Sequence, residues 1–212
     1  STGTPVLLTS EPLALWLTLP VLVVYPMLFA WLSHRTAIRL AEHKRRLELM
    51  STRDGMTGVF NRRHWETLLR NEFEACRRSH RQATILLIDI DHFKTINDTW
   101  GHDVGDEAIV AITRQLQLTL RAGDYIGRFG GDEFAVIMSG TPADNAIAAM
   151  ARVHERLVNM PLHGAPMARL CISVGVAPWG AQFTHYREWL KAADVALYKA
   201  KNAGRGRTEV AA

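Results

Sequence analysis

Residues 125–138 read YIGRFGGDEFAVIM, and this stretch indicates the fold more directly than any other part of the sequence. Residues 125–129 and 134–138 are short and mostly apolar, and two glycines followed by two acids lie between them. Paired glycines between two apolar runs are typical of a β-hairpin. We therefore expect a hairpin here, with Asp132 and Glu133 at its tip.

The sequence on either side of this hairpin predicts strands that alternate with helices. Residues 83–90 (ATILLIDI) and residues 168–177 are apolar runs of strand length. Apolar residues recur at helical spacing in four segments: 61–79, 104–120, 142–159 and 185–203. The pattern predicts an α+β fold with a central mixed sheet flanked by helices, which we expect to cover one face of the sheet.

The composition fits one domain of ordinary size and a short accessory segment. The chain has 212 residues, of which 48% are hydrophobic, so a full core is expected and disorder is not. The net charge is +4, and much of the excess lies in residues 35–46, which argues against a nucleic-acid-binding surface. Cys76 and Cys171 are far apart and form no CxxC pair, which indicates a reducing compartment without disulfides.

Residues 12–33 are the predicted transmembrane helix, and residues 1–11 are expected to be the truncated flank of a longer N-terminal region. The run from residue 12 to residue 32 contains no charged side chain and is long enough to cross a bilayer. A signal peptide is disfavoured because no basic residue precedes the run, whereas a buried core helix remains an alternative. Basic residues follow the run and none precedes it, so we expect the rest of the chain to be cytoplasmic.

Residues 34–53 are the predicted juxtamembrane connector helix, and residues 54–212 are the predicted catalytic domain. The apolar positions of the connector form a short, imperfect seam that permits a two-stranded coiled coil without requiring one. The alternative is a solvated helix that contacts anionic lipid headgroups. A continuous helix would transmit rotation or separation to the domain that follows.

Two acidic clusters are candidates for metal binding. Asp89 and Asp91 close the strand at residues 83–90, and Asp132 and Glu133 lie at the hairpin tip. If the hairpin pairs beside that strand, Asp89 and Asp132 approach each other, and crowded carboxylates favour a hard cation such as Mg²⁺. Two such ions would bridge a triphosphate and stabilise a leaving pyrophosphate. The alternative is that each acid caps a turn.

Other polar residues near these acids are suited to binding a nucleotide. Gly130 and Gly131 leave room for a purine or a ribose against the backbone. Asn97 lies in a predicted loop and Asp106 at a predicted helix start. Both side chains would form hydrogen bonds with the edge of a nucleobase. An ionised Asp only accepts hydrogen bonds, which favours guanine over adenine, and helix capping is the alternative for Asp106.

Two further sets of charged residues have an ordinary interpretation and a functional one. A basic cluster near the C-terminus is formed by Lys199, Lys201, Arg205 and Arg207. Such a cluster suits phosphate binding, and the alternative is a solvated helix end whose cations favour the helix dipole. The Arg121-Ala-Gly-Asp124 motif ordinarily forms a salt bridge or a helix-end cap. An arginine can also bind phosphate with two hydrogen bonds and stack on guanine.

In this order, the motifs resemble the GGDEF family of diguanylate cyclases over about residues 51–207. The matching motifs are 54–63 (DGMTGVFNRR), 89–94 (DIDHFK), 97–106 (NDTWGHDVGD), 128–134 (RFGGDEF), 173–176 (SVGV) and 193–201 (ADVALYKAK). One such motif is weak, whereas the ordered set is specific. The departures, at Met56, Val59 and Trp100, are apolar and affect packing more than chemistry.

The resemblance implies a fold similar to the palm of nucleotidyl cyclases and polymerases, and an enzyme that condenses two GTP molecules into cyclic di-GMP and two pyrophosphates. It implies a homodimer, because each domain binds one GTP, and two Mg²⁺ ions per active site, with Mn²⁺ as a substitute.

The implied metal ligands are Asp89, the Ile90 carbonyl, Asp132 and Glu133. The three acids are also the implied catalytic residues, with Glu133 as a metal ligand or as the base for the ribose 3′-hydroxyl. The implied GTP contacts are His92, Phe93, Lys94, Asn97, Asp106, Gly130, Gly131, Lys201 and Arg205.

The resemblance also implies regulation and location. Arg121 and Asp124, with Arg152, match the family's product-binding inhibitory site. The N-terminal span is similar to that of an enterobacterial membrane cyclase that regulates cellulose synthesis and biofilm, so we expect the bacterial inner membrane and no nucleic-acid partner. The competing hypothesis is a catalytically silent module that binds GTP or cyclic di-GMP, which the presence of all three acids disfavours.

Overall fold

The computed structural model describes residues 24–39, 52–165 and 167–211. The chain divides into two compact units, Ser1–Ser51 and Thr52–Ala212. In the first unit, residues 24–39 form helix α1. The elements of the second unit are, in chain order, β1 (Phe60–Asn61), α2 (Arg62–Ser79), β2 (Ala83–Ile90), α3 (Phe93–Trp100), α4 (His102–Thr119), β3 (Tyr125–Arg128), β4 (Glu133–Ser139), α5 (Ala143–Val158), β5 (Ile172–Pro178), α6 (Tyr186–Asn202) and β6 (Thr208–Val210).

The predicted N-terminal segments fall only partly within the described residues. Residues 1–23 lie outside them, and so do residues 40–51 of the predicted connector. The remainder of the predicted membrane span, residues 24–33, is helical as part of α1. Within the described ranges, no helix combines the length and the apolar character that crossing a membrane requires.

The second unit has a mixed sheet with the strand order β1-β3-β4-β2-β5-β6. The central strand β2 pairs antiparallel with β4 and β5, while β1 pairs parallel with β3 and β5 pairs parallel with β6. Strands β3 and β4 form the predicted hairpin, and β4 lies directly beside β2. This arrangement confirms the predicted α+β fold with a mixed central sheet and flanking helices.

Helices cover both faces of the sheet, so the prediction that they cover one face is wrong. On one face α4 and α5 pack against Leu86 and Ile88, and on the other face α2 and α6 pack against Ile85 and Leu87. Successive residues of β2 therefore alternate between two cores. Its unbroken apolar run is the sequence signal for this arrangement, because a strand with one solvated face would show polar residues at every second position.

Residues 93–100 form a helix, α3, that the sequence pattern did not predict, and Asn97 lies in this helix rather than in a loop. Gly101, with a φ of 90°, separates α3 from α4. A helix of eight residues is too short for hydrophobic periodicity to identify it. The strand predicted at residues 168–177 begins only at Ile172, because residues 168–171 have no regular structure.

A close contact between α6 and β5 positions the C-terminal end of α6. A Cβ atom at Gly175 would lie 2.1 Å from the Ala193 carbonyl oxygen and 2.2 Å from the Leu197 nitrogen. Glycine is therefore the residue that lets the backbones of α6 and β5 approach this closely. The approach brings Lys201, near the end of α6, to the end of β2.

Candidate active site

The predicted catalytic acids meet where β2 and β4 lie side by side. Asp89 on β2 is the direct partner of Glu133 on β4, and the Ile90 N–H donates to the Asp132 carbonyl oxygen at 3.1 Å. Cross-strand partners project from the same face of a sheet. Leu87, two residues before Asp89, lies in the core beneath α2 and α6, so Asp89 and Glu133 project toward that side.

The electrostatics of this cluster favour a bound cation. Burial raises the pKa of Asp89, the neighbouring Lys201 ammonium opposes that rise, and the charges of Asp132 and Asp91 add to it. The Lys201 Nζ atom lies 2.6 Å from the Asp89 Oδ2 atom. A carboxylate whose pKa is raised by neighbouring negative charge is relieved by positive charge, and hard carboxylate oxygen atoms suit Mg²⁺. Asp89 and Asp132 therefore fit the predicted metal.

The complete predicted ligand set is not assembled by side chains alone. Within the part of the chain that the structure describes, no three acidic, histidine or cysteine side chains converge on a common point. Asp89 and Asp132 are partly shielded, whereas Glu133 is exposed, and Ile90 ends strand β2. Further ligand oxygens must then come from a nucleotide, from water or from the Ile90 backbone, as Mg²⁺ sites commonly arrange.

The turn that carries the two glycines is open on one side. Neither Gly130 nor Gly131 has a φ in the left-handed region. A Cβ atom at Gly131 would meet nothing within 4 Å, and a Cβ atom at Gly130 would lie 3.2 Å from the Glu133 Oε2 atom. The backbone conformation thus does not require glycine at Gly131. The space that glycine leaves there lies directly beside the acids.

Arg128 fixes this turn, a role that the sequence analysis missed. Its Nε atom donates to the Gly130 carbonyl at 3.1 Å and its Nη2 atom to the Gly131 carbonyl at 2.8 Å. The Nη1 atom lies 3.2 Å from Asp54 Oδ1, which also accepts from the Thr57 N–H at 2.9 Å and from its hydroxyl at 2.6 Å. The DxxT pattern of the first motif therefore anchors the arginine that holds the hairpin tip.

The two predicted base-reading residues lie on adjacent helices. A Cβ atom at Gly105 on α4 would lie 1.9 Å from the Asn97 Oδ1 atom on α3, so these helices touch at Gly105, the residue before Asp106. The Asn97 Oδ1 atom is buried and has no hydrogen-bond partner among the described residues. Asp106 is exposed in the second turn of α4 and does not cap the helix, whose N-cap is Gly101. Both side chains carry oxygen atoms that accept hydrogen bonds, which suits a nucleobase edge that carries hydrogen-bond donors.

The predicted phosphate contacts surround the N-terminus of α3. His92 has a φ of 57°, precedes α3, and makes no side-chain capping bond, which leaves the first amides of the helix without an intrahelical partner. Phe93 is half-buried and Lys94 is exposed. Lys201 forms an ion pair with Asp89. Among the described residues, no ion pair joins Lys94 or Arg205 to the acids. Arg205 follows α6, is exposed and has a φ of 62°.

Asp91 has a structural role that the sequence analysis did not assign. The residue is buried, and its carboxylate accepts from the Ser173 hydroxyl at 2.6 Å and from the Gly206 N–H at 2.8 Å. Strand β2 ends at Ile90, so Asp91 is not held beside Asp89 by strand geometry. Its carboxylate instead ties the end of β2 to β5 and to the loop that carries Arg205.

Arg121 and Asp124 form the short-range pair that is the ordinary interpretation of their motif. Arg121 Nε lies 3.3 Å from Asp124 Oδ1, the Arg121 N–H donates to Asp124 Oδ2 at 3.1 Å, and Arg121 Nη2 donates to Thr141 Oγ1 at 2.9 Å and to the Ser139 carbonyl. Burial raises the pKa of Asp124, and Arg121 opposes the rise. Arg152 is exposed on α5, and no hydrogen bond or ion pair joins it to this motif.

Known proteins resemble the chain in sequence and in structure. Residues 51–207 match the family described as "Diguanylate cyclase, GGDEF domain". The chain is 71% identical over 211 residues to "Probable diguanylate cyclase DgcC" of Escherichia coli (strain K12), and the match covers 100% of this chain but 57% of that protein. The chain thus spans little more than half the length of this relative.

Two solved structures share the fold. The coiled coil and GGDEF domain of DgcB from Caulobacter crescentus, in complex with c-di-GMP, has a TM-score of 0.73 at 27% identity and covers 87% of this chain and 99% of that one. The diguanylate cyclase SiaD from Pseudomonas aeruginosa, in complex with its activator SiaC, has a TM-score of 0.71 at 32% identity and covers 95% of this chain and 77% of that one. The extent of the family match, together with this likeness, shows that the chain belongs to the family of diguanylate cyclase GGDEF domains.

Proposed function

We propose that the chain condenses two GTP molecules into cyclic di-GMP and two pyrophosphates. The observation that carries this proposal is the cross-strand pairing of Asp89 with Glu133, next to Asp132, beside Lys201 and an open glycine turn. A base-reading pair lies on the neighbouring helices α3 and α4. Sequence similarity to a probable diguanylate cyclase over the whole chain supports the same reaction.

The binding of GTP follows from the groups that surround the acids. Asp106 and Asn97 accept hydrogen bonds from the N1–H and the exocyclic amine of guanine. The first amides of α3, next to His92 and Phe93, bind phosphate oxygens. Lys94, Lys201 and Arg205 add positive charge to that region. The space beside Gly130 and Gly131 receives the ribose, which brings its 3′-hydroxyl toward Glu133.

The reaction joins two such half-sites. Two Mg²⁺ ions bound to Asp89 and Asp132, or Mn²⁺ in their place, would supply Lewis-acid polarisation of the phosphates. Glu133 takes the proton of the 3′-hydroxyl or holds a metal. The 3′-oxygen forms a bond to the α-phosphorus of the partner's GTP, the bond from that phosphorus to the bridging oxygen breaks, and pyrophosphate leaves. Because one domain holds one GTP, the product requires a homodimer in which two sites face each other.

Incubation of the chain with GTP and Mg²⁺, followed by chromatographic separation of the nucleotides, tests this function. We expect cyclic di-GMP from the wild type and a loss of at least about a hundredfold in Glu133→Gln, as for the removal of a general base. Glu155→Gln, which changes an exposed carboxylate on α5, is the matched control. Bound GTP without product from a verified dimer would favour the alternative, a silent nucleotide-binding module.

We also propose that the N-terminal region anchors the chain in the bacterial inner membrane, with the domain in the cytoplasm. The uncharged run of residues 12–32 supports this proposal. So does the first part of α1, where large apolar side chains are each between 51% and 68% exposed: Val24, Tyr25, Met27, Leu28, Phe29, Trp31 and Leu32. Exposed apolar surface of this kind is typical of contact with lipid or with another protein surface. Detergent-dependent release of the chain from membranes tests the anchor, and release by carbonate alone would contradict it.

The proposed regulation is inhibition by the product, which binds at Arg121 and Asp124 with a contribution from Arg152. An arginine fork beside a carboxylate suits the phosphate and guanine groups of cyclic di-GMP. The proposed output of the enzyme is the control of cellulose synthesis and biofilm, on the basis of the similarity of the N-terminal span to a membrane cyclase with that role.

A further inference from the structure

A cleft of about 310 Å³ opens between helices α2 and α6, beside Glu133 at the start of β4. Apolar side chains of the sheet and of α6 line part of it, and its charged lining residues are Glu133, Arg62, Arg187, Lys191 and Asp194. We propose that this cleft binds phosphate groups of the GTP that a partner domain carries, through Arg62 and Lys191. The inference rests on the proposed function and deepens it, because it assigns residues of this domain to the second substrate.

The cleft is separate from the groups proposed to hold the domain's own GTP. Leu87, which lines the cleft, belongs to the core beneath α2 and α6, whereas α4 packs on the opposite face of the sheet. Among the described residues, those that line the cleft include none from α3 or α4, where the base and the phosphates of that GTP are proposed to bind. Lys191 also lies about 15 Å before Lys201 along α6, at the helical rise of about 1.5 Å per residue. The domain's own GTP therefore does not account for the cations of the cleft.

The two proposed binding residues are suited to phosphate. The Arg62 guanidinium carbon lies 5.1 Å from the centroid of the Phe129 ring, and its Nε atom lies 3.0 Å from the Glu66 Oε1 atom. These contacts orient the guanidinium before an anion arrives, so binding loses less side-chain entropy than it would with a mobile arginine. Its fork can donate two hydrogen bonds to one phosphate. Lys191 is exposed and, among the described residues, forms no ion pair and no hydrogen bond, so its ammonium group is available to an anion.

The place of these cations beside Glu133 fits the second substrate. In the proposed reaction, Glu133 acts where a 3′-oxygen attacks the α-phosphorus of the partner's GTP. That phosphate must approach Glu133 from outside the domain, and the carboxylate repels it. The cleft sets three cations against its two carboxylates, Glu133 and Asp194, so its lining keeps an excess of positive charge. Arg62 and Lys191 thereby offset the repulsion and stabilise the charge that develops on the attacked phosphate.

The rate of cyclic di-GMP synthesis by the full chain, measured where sedimentation shows a dimer, is the first test. We expect Arg62→Ala and Lys191→Ala each to lower the rate by about tenfold or more, as for the loss of a charged hydrogen bond, without a change in thermal unfolding. Lys191→Arg should keep most of the rate, because a guanidinium group also donates to phosphate. Arg63→Ala removes an exposed arginine next to Arg62 that does not line the cleft, and this matched control should keep the wild-type rate.

Mixed dimers test whether Lys191 acts on the partner's GTP or on the GTP of its own domain. Wild-type chain mixed with a large excess of Glu133→Gln has one working half-site and should form the linear dinucleotide that a single bond between two GTP molecules gives. Addition of Lys191→Ala to the Glu133→Gln chain should leave that rate unchanged, because the working half-site keeps its own lysine. Lys191→Ala mixed with Glu133→Gln should lose about tenfold or more, because no half-site then has both groups.

Each contrary result has a distinct meaning. If Arg62→Ala and Lys191→Ala synthesise cyclic di-GMP at the wild-type rate, the inference is wrong and the proposed function stands. If both kinds of mixed dimer lose the same rate, the lysine acts on the GTP of its own domain, which also overturns the inference. If the variants sediment as monomers where the wild type is a dimer, the cleft is a contact between protein surfaces instead. If the wild type forms no cyclic di-GMP, the proposed function fails together with the inference, and this result precedes any comparison of variants.

Discussion

Asp54 and Arg128 form an ion pair between two motifs that lie 74 residues apart. Each motif is visible in the sequence, but their contact is not, because no local pattern reports a pairing at this separation. Only about 12% of the Arg128 side chain and 25% of the Asp54 side chain are exposed, so the pair is shielded enough to affect stability.

The first prediction concerns Asp54 and pH. Partial burial raises the pKa of Asp54, but hydrogen bonds from Thr57 and Arg128 outweigh that effect and leave the pKa below its ordinary value of 3.8. A lowered folded pKa contributes stability above the unfolded value and loses it as the pH falls through the folded value. We expect Asp54→Asn to lower the free energy of unfolding by about 1–2 kcal/mol at pH 7, and by less near pH 3. Urea unfolding at both pH values measures this difference.

Asp98→Asn is the control for that comparison, since Asp98 is exposed on α3. Its effect on the free energy of unfolding should be small and equal at the two pH values. A loss in Asp54→Asn that does not shrink at low pH would show that the carboxylate charge is not what stabilises the pair.

The second prediction separates stability from binding at Gly131. Alanine at this position meets nothing within 4 Å, so the free energy of unfolding should change by less than about 0.5 kcal/mol. The added methyl group occupies the space proposed for the ribose, so kcat/KM for GTP should fall by about tenfold or more. Gly55→Ala, at an equally open site, should leave kcat/KM unchanged. Equal activities of the two variants would argue against a ligand at the turn.

The long elements follow from local sequence signals, whereas the short ones do not. Strand β2 occupies the predicted residues because its apolar run is complete, and α2 begins where the Asn61 side chain accepts from the His64 N–H at 3.0 Å. Strands β1 and β6, of two and three residues, carry no periodicity that could reveal them. Helix α3 lacks such a signal for the same reason. Helices α2 and α6 lie where the sequence predicts them, and only their position on the second face of the sheet differs from the prediction.

The candidate site was predictable to the extent that strand register determines it. Asp89 and Glu133 are neighbours because the hairpin pairs with β2, which the sequence pattern already suggested. The contact of Lys201 with Asp89 depends on how α6 packs, and the inward position of Asp91 depends on where β2 ends. Neither feature has a local signature, so both required the structure.

The third prediction concerns the packing of α6 on β5. Because a Cβ atom at Gly175 would lie 2.1 Å from a backbone oxygen of α6, Gly175→Ala must push the helix away from the sheet. Overpacking of this kind costs about 1–3 kcal/mol, and contact with backbone places this site at the upper end. Thermal unfolding measures the loss, with Gly55→Ala as the control. Activity should fall as well, because Lys201 moves with α6.

At the scale of the whole molecule, the domain holds only half of the proposed reaction. In the proposed mechanism, the acids, the glycine turn and the base-reading pair of one domain bind one GTP, while the α-phosphate that is attacked belongs to the GTP of another domain. The predicted connector at residues 34–53 precedes the domain in the sequence, and we propose that it controls this encounter. A membrane anchor would raise the local concentration of domains in the same way.

The fourth prediction is that the specific activity of the chain depends on its concentration. If two domains must meet, cyclic di-GMP formed per protein molecule should rise with protein concentration and level off once the dimer predominates. Initial rates measured over a hundredfold range of concentration, together with sedimentation, test this dependence. A constant specific activity for a chain that sediments as a monomer would contradict the two-domain mechanism.

The ion pair between Lys201 and Asp89 bears on the order in which metal and nucleotide bind. The lysine already neutralises this carboxylate, at 2.6 Å, so a free divalent ion must displace an ammonium group before it gains a ligand. A nucleotide changes the competition, because its phosphates attract the same lysine and release the carboxylate. We therefore expect loading of the site to be ordered, with GTP carrying its own magnesium into the cleft. In a cell, occupancy of the enzyme would then follow the supply of magnesium–GTP rather than fluctuations in free magnesium.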